Sequence, residues 1–146
     1  MAVEYSAFAG WKKNLKLAND SVELIVTLEV GPRIISYRSL QGRNVFKWME
    51  EEARTSGEKE WKIRGGHRFW VGPEDFGKKE SLTYAPDNTE VEHTIENDYT
   101  VTVSQVTESP RTLRREMILS LNQTGPGVIV EHRLTNESGS SLLVAP

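Results

Sequence analysis

The sequence predicts an all-β fold, specifically an antiparallel β-sandwich, on three observations. Hydrophobic residues recur at every second position in several segments, as they do in strands with one buried face. Turn residues such as Asn, Asp, Gly and Pro separate these segments at short intervals, which is typical of sandwiches and barrels. No long amphipathic helix interrupts the pattern, so the crossover helices that Rossmann and TIM-barrel folds require are missing.

The strands follow from the alternation taken segment by segment. Val22, Leu24, Val26 and Leu28 alternate with more polar neighbours and define the first clear strand face. The segments with the clearest alternation are 21–28, 100–104, 116–121 and 128–135, and shorter candidate strands are 33–39, 44–47, 91–95 and 141–144. Met117, Leu119 and Leu121 on one segment, and Val128, Val130, His132 and Leu134 on the next, are predicted to face inward.

The connections between these strands carry their own signals. Asn97-Asp98 is the tightest turn, and it predicts that 91–96 and 99–104 pair across a two-residue hairpin. One helical turn is predicted at 48–54, where three glutamates occupy the first turn. The segments 49–61 and 65–88 break the alternation, and long irregular segments in compact β domains are usually functional or mobile.

Composition narrows the class of function. The chain has 146 residues and is expected to form one domain over 1–146. Its net charge of −3 gives no attraction to nucleic acid or to an anionic membrane, so neither is expected as a partner. Arg111, Arg114 and Arg115 cluster beside Glu108 and Glu116, a pattern that favours a solvated strand end over a phosphate site.

The absence of cysteine excludes disulfide frameworks, thiolate nucleophiles and Cys-based zinc sites. The three histidines lack the spacing of a His-x-His or His-x3-His motif, so no metal and no cofactor is predicted. The first residues lack the basic and apolar stretches of a signal peptide, and no segment approaches the ~20 apolar residues of a membrane span. The expected location is the cytoplasm.

The densest group of chemically versatile residues is at 65–75. It holds paired glycines, an imidazole, a guanidinium, an indole and two carboxylates, and the predicted carbohydrate-binding residues are His67, Arg68, Trp70 and Glu74. An aromatic face packs on the C–H patch of a pyranose, while guanidinium and carboxylate groups hydrogen-bond neighbouring hydroxyls. Arg68 and Trp70 share a strand face, whereas Phe69 points the other way and is expected in the core.

Two simpler interpretations compete with a binding site. Arg68 and Glu74 could form an ion pair that only ties down the loop. His93 and His132 lie on otherwise apolar strand faces, where a histidine is usually a hydrogen-bonded core residue. They would contribute to function only if the sheet face lined a ligand cleft.

Several motifs, taken in order, resemble one family. They are Trp11-Lys12-Lys13, Leu17-Ala18-Asn19, 22–27, 30–35, Asn44-Val45-Phe46, 65–70 with Pro73-Glu74, 84–88, and 132–136. Together they resemble the galactose-mutarotase-like (aldose 1-epimerase-like) superfamily, most closely its DUF4380-type branch. The Gly-Gly-His-Arg-aromatic-Trp stretch is the most specific of these motifs.

The resemblance implies a β-supersandwich whose concave face binds sugars, with Arg68 at the position of a substrate-contacting arginine. It covers only the N-terminal half of the longer family domain, and it implies that the carboxylate base lies beyond Pro146. No catalytic residue is therefore assigned.

Three functions remain open from the sequence. The first is a carbohydrate-binding sandwich without catalysis, whose partner is a sugar or oligosaccharide. The second is a sugar mutarotase or epimerase that uses a histidine and a carboxylate as acid and base. The third is a structural module that dimerises through open sheet edges, because half a supersandwich leaves apolar faces such as Met117–Leu119–Leu121 to be covered. We expect a two-fold homodimer.

Overall fold

The computed structural model describes residues 3–72, 88–107 and 112–144. Within these ranges the chain forms nine β-strands and no helix, which confirms the all-β prediction. The strands are β1 (Val3–Phe8), β2 (Trp11–Ala18), β3 (Val22–Thr27), β4 (Arg33–Ser39), β5 (His67–Arg68), β6 (Glu92–Asn97), β7 (Thr100–Thr107), β8 (Leu113–Leu121) and β9 (Val128–Asn136). None of the described segments is a helix with the length and apolarity that a bilayer crossing requires.

The strands are arranged in two antiparallel sheets. The first has the order β1-β2-β3-β4-β5 and the second the order β6-β7-β8-β9. Side chains from both sheets form one apolar cluster, with Leu24 and Val26 contributed by the first sheet and Val103, Met117 and Leu119 by the second. The chain is therefore a β-sandwich, and the inward faces predicted for β3, β7 and β8 are confirmed.

The outer face of the first sheet is covered as well. Trp11, Ile25 and Ile35 are buried there together with Ala53, and Trp48 packs against them. Ala53 N–H donates to the carbonyl of Met49 at 2.9 Å, so the predicted helical turn exists as a single turn and does not extend into a helix. This cover explains why β3 is buried on both faces although its sequence alternates.

Contacts at the edges join the two sheets. On one side Tyr5 of β1 lies with its hydroxyl 2.9 Å from Nε2 of His93 on β6. On the other side His67 of β5 contacts His132 of β9. β1 therefore lies against β6, and the two edge strands β5 and β9 lie against each other.

Three sequence predictions need correction in detail. The 91–104 hairpin forms, but an irregularity after Ile95 pairs Asn97 with Thr100, so the turn shifts by one residue. The segment 44–47 is not a strand, because the Asn44 side chain itself bonds the β4 backbone at the Tyr37 amide and the Ile35 carbonyl. The segment 141–144 is also not a strand, and Leu143 is exposed.

Candidate functional site

The paired glycines position β5 by allowing a close approach of backbones. Gly65 and Gly66 have φ values of 78° and 77°, which favour glycine. A Cβ on Gly65 would lie 2.1 Å from the carbonyl oxygen of Lys47, and one on Gly66 would lie 2.3 Å from that of Ile34. Gly66 N–H donates to the Lys47 carbonyl at 2.8 Å. The glycines thus seat the following residues against the 47–48 segment and β4.

Alternation along the chain divides the predicted site residues between two sides. Phe69 is buried in the core between the sheets, as predicted, and His67 points to the same side, toward β9. Arg68 and Trp70 alternate with them and contact each other on the other side. The structure therefore brings Arg68 and Trp70 together and separates them from His67.

The first of the two resulting groups is the aromatic–guanidinium cluster, formed by Arg68, Trp70 and Trp61. The Arg68 guanidinium carbon lies 4.0 Å from the centre of the Trp70 ring and 5.8 Å from that of Trp61. Both distances are within the range of cation–π attraction. Trp61 is 41% exposed, so the cluster presents an indole to solvent beside a charged, multi-donor group.

A buried arginine fixes the loop that carries Trp61. Arg64 is fully buried and donates to the side chains of Asn88 and Glu58 and, at 3.2 Å, to the Thr55 carbonyl. Asn88 in turn donates to the carbonyls of Glu58 and Glu60 at 2.9 and 2.7 Å. This network holds the 55–64 segment in one conformation and so sets the position of Trp61.

The pKa of Glu58 reflects that network. Partial burial acts to raise the pKa, but hydrogen bonds from Thr55 and from the Glu58 backbone, together with the charge of Arg64, outweigh it. The net effect is a pKa below the ordinary value of 4.5, which keeps the carboxylate ionised beside the buried guanidinium.

The second group is the histidine pair, His67 and His132, whose Nε2 atoms are 2.9 Å apart. The ring of Phe69 packs edge-on against His132 with 4.9 Å between centroids, and Phe46 lies 6.3 Å from His67. Burial, and to a smaller degree the charge of His132, lower the pKa of His67 from its ordinary value of 6.5. The pair is a hydrogen-bonded link between the edges of the two sheets.

Three sequence expectations about charged and imidazole groups are wrong. His93 and His132 were expected in the core, yet both are exposed and bond to another side chain at a sheet edge. Arg115 was expected at a solvated strand end, but it is 4% exposed and donates to the Gln105 side chain and to the Phe69 carbonyl. Arg115 therefore stabilises the backbone of the 67–70 stretch through its hydrogen bond to the Phe69 carbonyl.

The remaining candidates are a fourth predicted binding residue, a metal site and a surface groove. Glu74, the fourth predicted binding residue, lies outside the described residues. Among the described residues no three His, Asp or Glu side chains gather in a metal-binding arrangement. An open groove of about 730 Å³ is lined by residues 97–100 and 121–123 and includes none of the predicted site residues.

Trp61 is the member of the cluster that the sequence did not single out. It stands in a short charged stretch, Lys59-Glu60-Trp61-Lys62, inside a segment interpreted only as acidic and irregular. A tryptophan among charged loop residues has no neighbouring apolar residues to pack against. That isolation was the one sequence feature that could have indicated a functional role for Trp61. Its proximity to Arg68 depends on the Arg64 network and is not encoded in local pattern.

Comparison of the chain with protein-family models, with curated proteins and with solved structures finds no match.

Proposed function

We propose that the protein binds a carbohydrate at the aromatic–guanidinium cluster. The observation that carries this proposal is the stacking of Arg68 on Trp70 at 4.0 Å, beside the exposed indole of Trp61. The resemblance to the galactose-mutarotase-like superfamily supports it, since that resemblance puts Arg68 at a substrate-contacting position. The residues assigned to the site are Arg68, Trp70 and Trp61; Glu74 stays a predicted member outside the described residues, and His67 lies on the opposite side of the strand.

The chemistry of the cluster suits a sugar. Stacking engages the flat face of a guanidinium, whereas hydrogen bonds to vicinal hydroxyls are made at its edge. An indole ring offers a rigid apolar surface for the C–H face of a pyranose. Because Trp61 is held by the Arg64 network and Trp70 follows the buried Phe69 just after β5, the site loses little conformational entropy on binding.

The backbone that carries the cluster is held rigidly by buried contacts, which favours a preformed binding site. Gly65, Gly66 and the buried Arg115 all fix the backbone from which Arg68 and Trp70 project. Binding residues on rigid elements are placed more precisely than those on free loops. A cysteine-free chain has no need of an oxidising compartment, which favours the cytoplasm as the place where this binding occurs.

Saturation-transfer difference NMR tests the proposal, because it detects the weak binding expected of a monosaccharide. D-galactose and D-glucose are the first probes, followed by a soluble oligosaccharide of each. We expect transfer to the sugar C–H protons with the wild type and a loss of roughly tenfold or more in affinity with Arg68→Ala, which removes charge-assisted hydrogen bonds.

Arg38→Ala is the matched control, since Arg38 is also on the first sheet and is engaged in a partly buried ion pair with Glu23, apart from the cluster. It should bind as the wild type does. No transfer with any of the probes, or equal transfer with Arg68→Ala and wild type, would contradict the proposal.

The histidine pair favours a second candidate function, a sugar mutarotase or epimerase. Two imidazoles with Nε2 atoms 2.9 Å apart can pass a proton between them. Polarimetry on freshly dissolved galactose tests this candidate. A rate above buffer that disappears with His132→Gln and persists with His93→Gln would establish it, whereas the binding proposal predicts no acceleration.

A further inference from the structure

The second sheet ends in a long edge strand. Among the described strands β9 pairs only with β8, and it does so over its whole length of nine residues. The edge of the other sheet at this side, β5, spans only two residues and forms its strand ladder with β4, so it meets β9 through side chains and not as a paired strand. A long unpaired edge strand tends to pair with a strand of another chain unless charged side chains, a β-bulge or a covering segment prevents it.

The side chains of β9 also lack full cover. Val128, Val130 and Leu134 point toward the core but are only partly buried, and Ile129 on the opposite face is 65% exposed. By contrast Leu119 and Met117, on the neighbouring strand β8, are fully buried. A further strand beside β9 would bury these side chains as β9 buries those of β8.

The charge pattern of β9 identifies which strand fits. Glu131 and Arg133 precede and follow His132 in the sequence and share the face of β9 opposite to it. Arg133 donates to the Glu131 carboxylate at 2.7 Å. When β9 is set antiparallel to a copy of itself with the two-fold axis at His132, Glu131 faces the partner's Arg133 and Val130 faces the partner's Leu134. Glu131 and Arg133 then each meet the opposite charge, and on the inner face Val130 and Leu134 meet each other while Val128 faces the partner's Asn136.

Neighbouring registers are rejected by the same residues. Paired side chains point to the same face of the sheet only when the two-fold axis passes through a residue. The neighbouring registers therefore place the axis at residue 131 or at residue 133. The first choice sets Glu131 against Glu131, and the second sets Arg133 against Arg133. Like charges directly opposite destabilise a strand pair.

We propose that β9 pairs with β9 of a second copy of this chain, which joins two four-stranded sheets into one continuous sheet. Strand addition of this kind derives its affinity from main-chain hydrogen bonds and its register from side-chain pairs. A closed two-fold arrangement pairs the β9 edge of one copy with the β9 edge of the other, so this contact produces a dimer and not a longer chain of copies. The proposal does not depend on sugar binding.

Sedimentation equilibrium with charge-swapped variants of the full chain tests it. The wild type should form a dimer of the 16.5 kDa chain at tens to hundreds of micromolar. Glu131→Arg and Arg133→Glu should each weaken association by about tenfold, because each creates two like-charge pairs across the axis. The double variant restores opposite charges and should return to within about threefold of the wild type.

Lys13→Glu is the matched control, because it reverses an exposed charge in an ion pair on the other sheet. It should leave association unchanged. A wild type that stays monomeric at these concentrations would overturn the proposal. So would a dimer insensitive to both single variants, or one that the double variant fails to restore.

Discussion

The Nε2 atoms of His67 and His132 lie 2.9 Å apart and connect the edge strands of the two sheets. A hydrogen bond between two imidazoles needs one nitrogen with a proton and one without. The pair therefore holds when both rings are neutral or when one is charged, and it is lost when both are charged. Phe46 and Phe69 pack against these rings and contribute to the burial that lowers the pKa of His67.

The histidine pair makes stability depend on pH. Because the pKa of His67 is lowered in the folded protein, the unfolded chain binds more protons as pH falls through the unfolded value of 6.5. Its contribution to stability is complete above pH 6.5 and is lost as pH falls through the lower, folded pKa. Urea unfolding at pH 7.5 and pH 5.5 should show a smaller drop in midpoint for His67→Gln than for the wild type.

His93→Gln serves as the control for that experiment, because His93 is bonded to Tyr5 at the opposite edge. It should keep the pH dependence of the wild type. Equal drops for the wild type and His67→Gln would contradict the role of this pair.

The glycine pair gives a prediction with an internal control. Gly65→Ala and Gly66→Ala should each destabilise the fold by about 2 kcal/mol or more, since each adds a backbone clash to the strain of a positive φ. Gly57 has nearly the same φ, 79°, but nothing lies within 4 Å of a Cβ there. Gly57→Ala should cost about 1 kcal/mol. Urea midpoints that are equal for the three variants would show that close backbone approach is not what requires Gly65 and Gly66.

Arg64 couples stability to the proposed site. Arg64→Met leaves Asn88 and Glu58 without their shared donor inside the fold, and we expect a loss of about 3 kcal/mol in unfolding free energy. Arg54→Met removes only an exposed ion pair with Glu50 and should cost less than about 1 kcal/mol. Under conditions where Arg64→Met remains folded, its sugar affinity should fall because Trp61 is no longer held. Unchanged affinity would separate Trp61 from the site.

Much of the second sheet could be predicted from the sequence, because its strands keep the alternation of polar and apolar residues, and in β8 every second residue is buried. β1 and β2 were missed for a physical reason. In β2 the polar Asn14 is fully buried and donates to the carbonyls of Ser6 and Trp11, while lysines occupy exposed positions. A buried asparagine and an irregular pairing with β1 break the period of two.

For the candidate site, the alternation at 67–70 correctly separated Phe69 from Arg68 and Trp70, which contact each other. The grouping of His67 with Arg68 came from proximity in sequence, whereas consecutive residues of an extended chain point to opposite sides. Neither Trp61 nor His132 could be placed, because each reaches its partner through contacts distant in sequence. Such contacts are set by tertiary packing and leave no local pattern.

The most direct test of carbohydrate binding follows the tryptophan indole N–H signals in ¹⁵N–¹H spectra during titration with D-galactose or D-glucose. The chain has four tryptophans, and Trp11 is fully buried and cannot contact a sugar, so its signal is an internal reference. We predict saturable shifts for Trp61 and Trp70, no shift for Trp11, and loss of all shifts in Arg68→Ala. Signals of Trp61 and Trp70 that stay fixed, or that move no more than that of Trp11, would contradict the account.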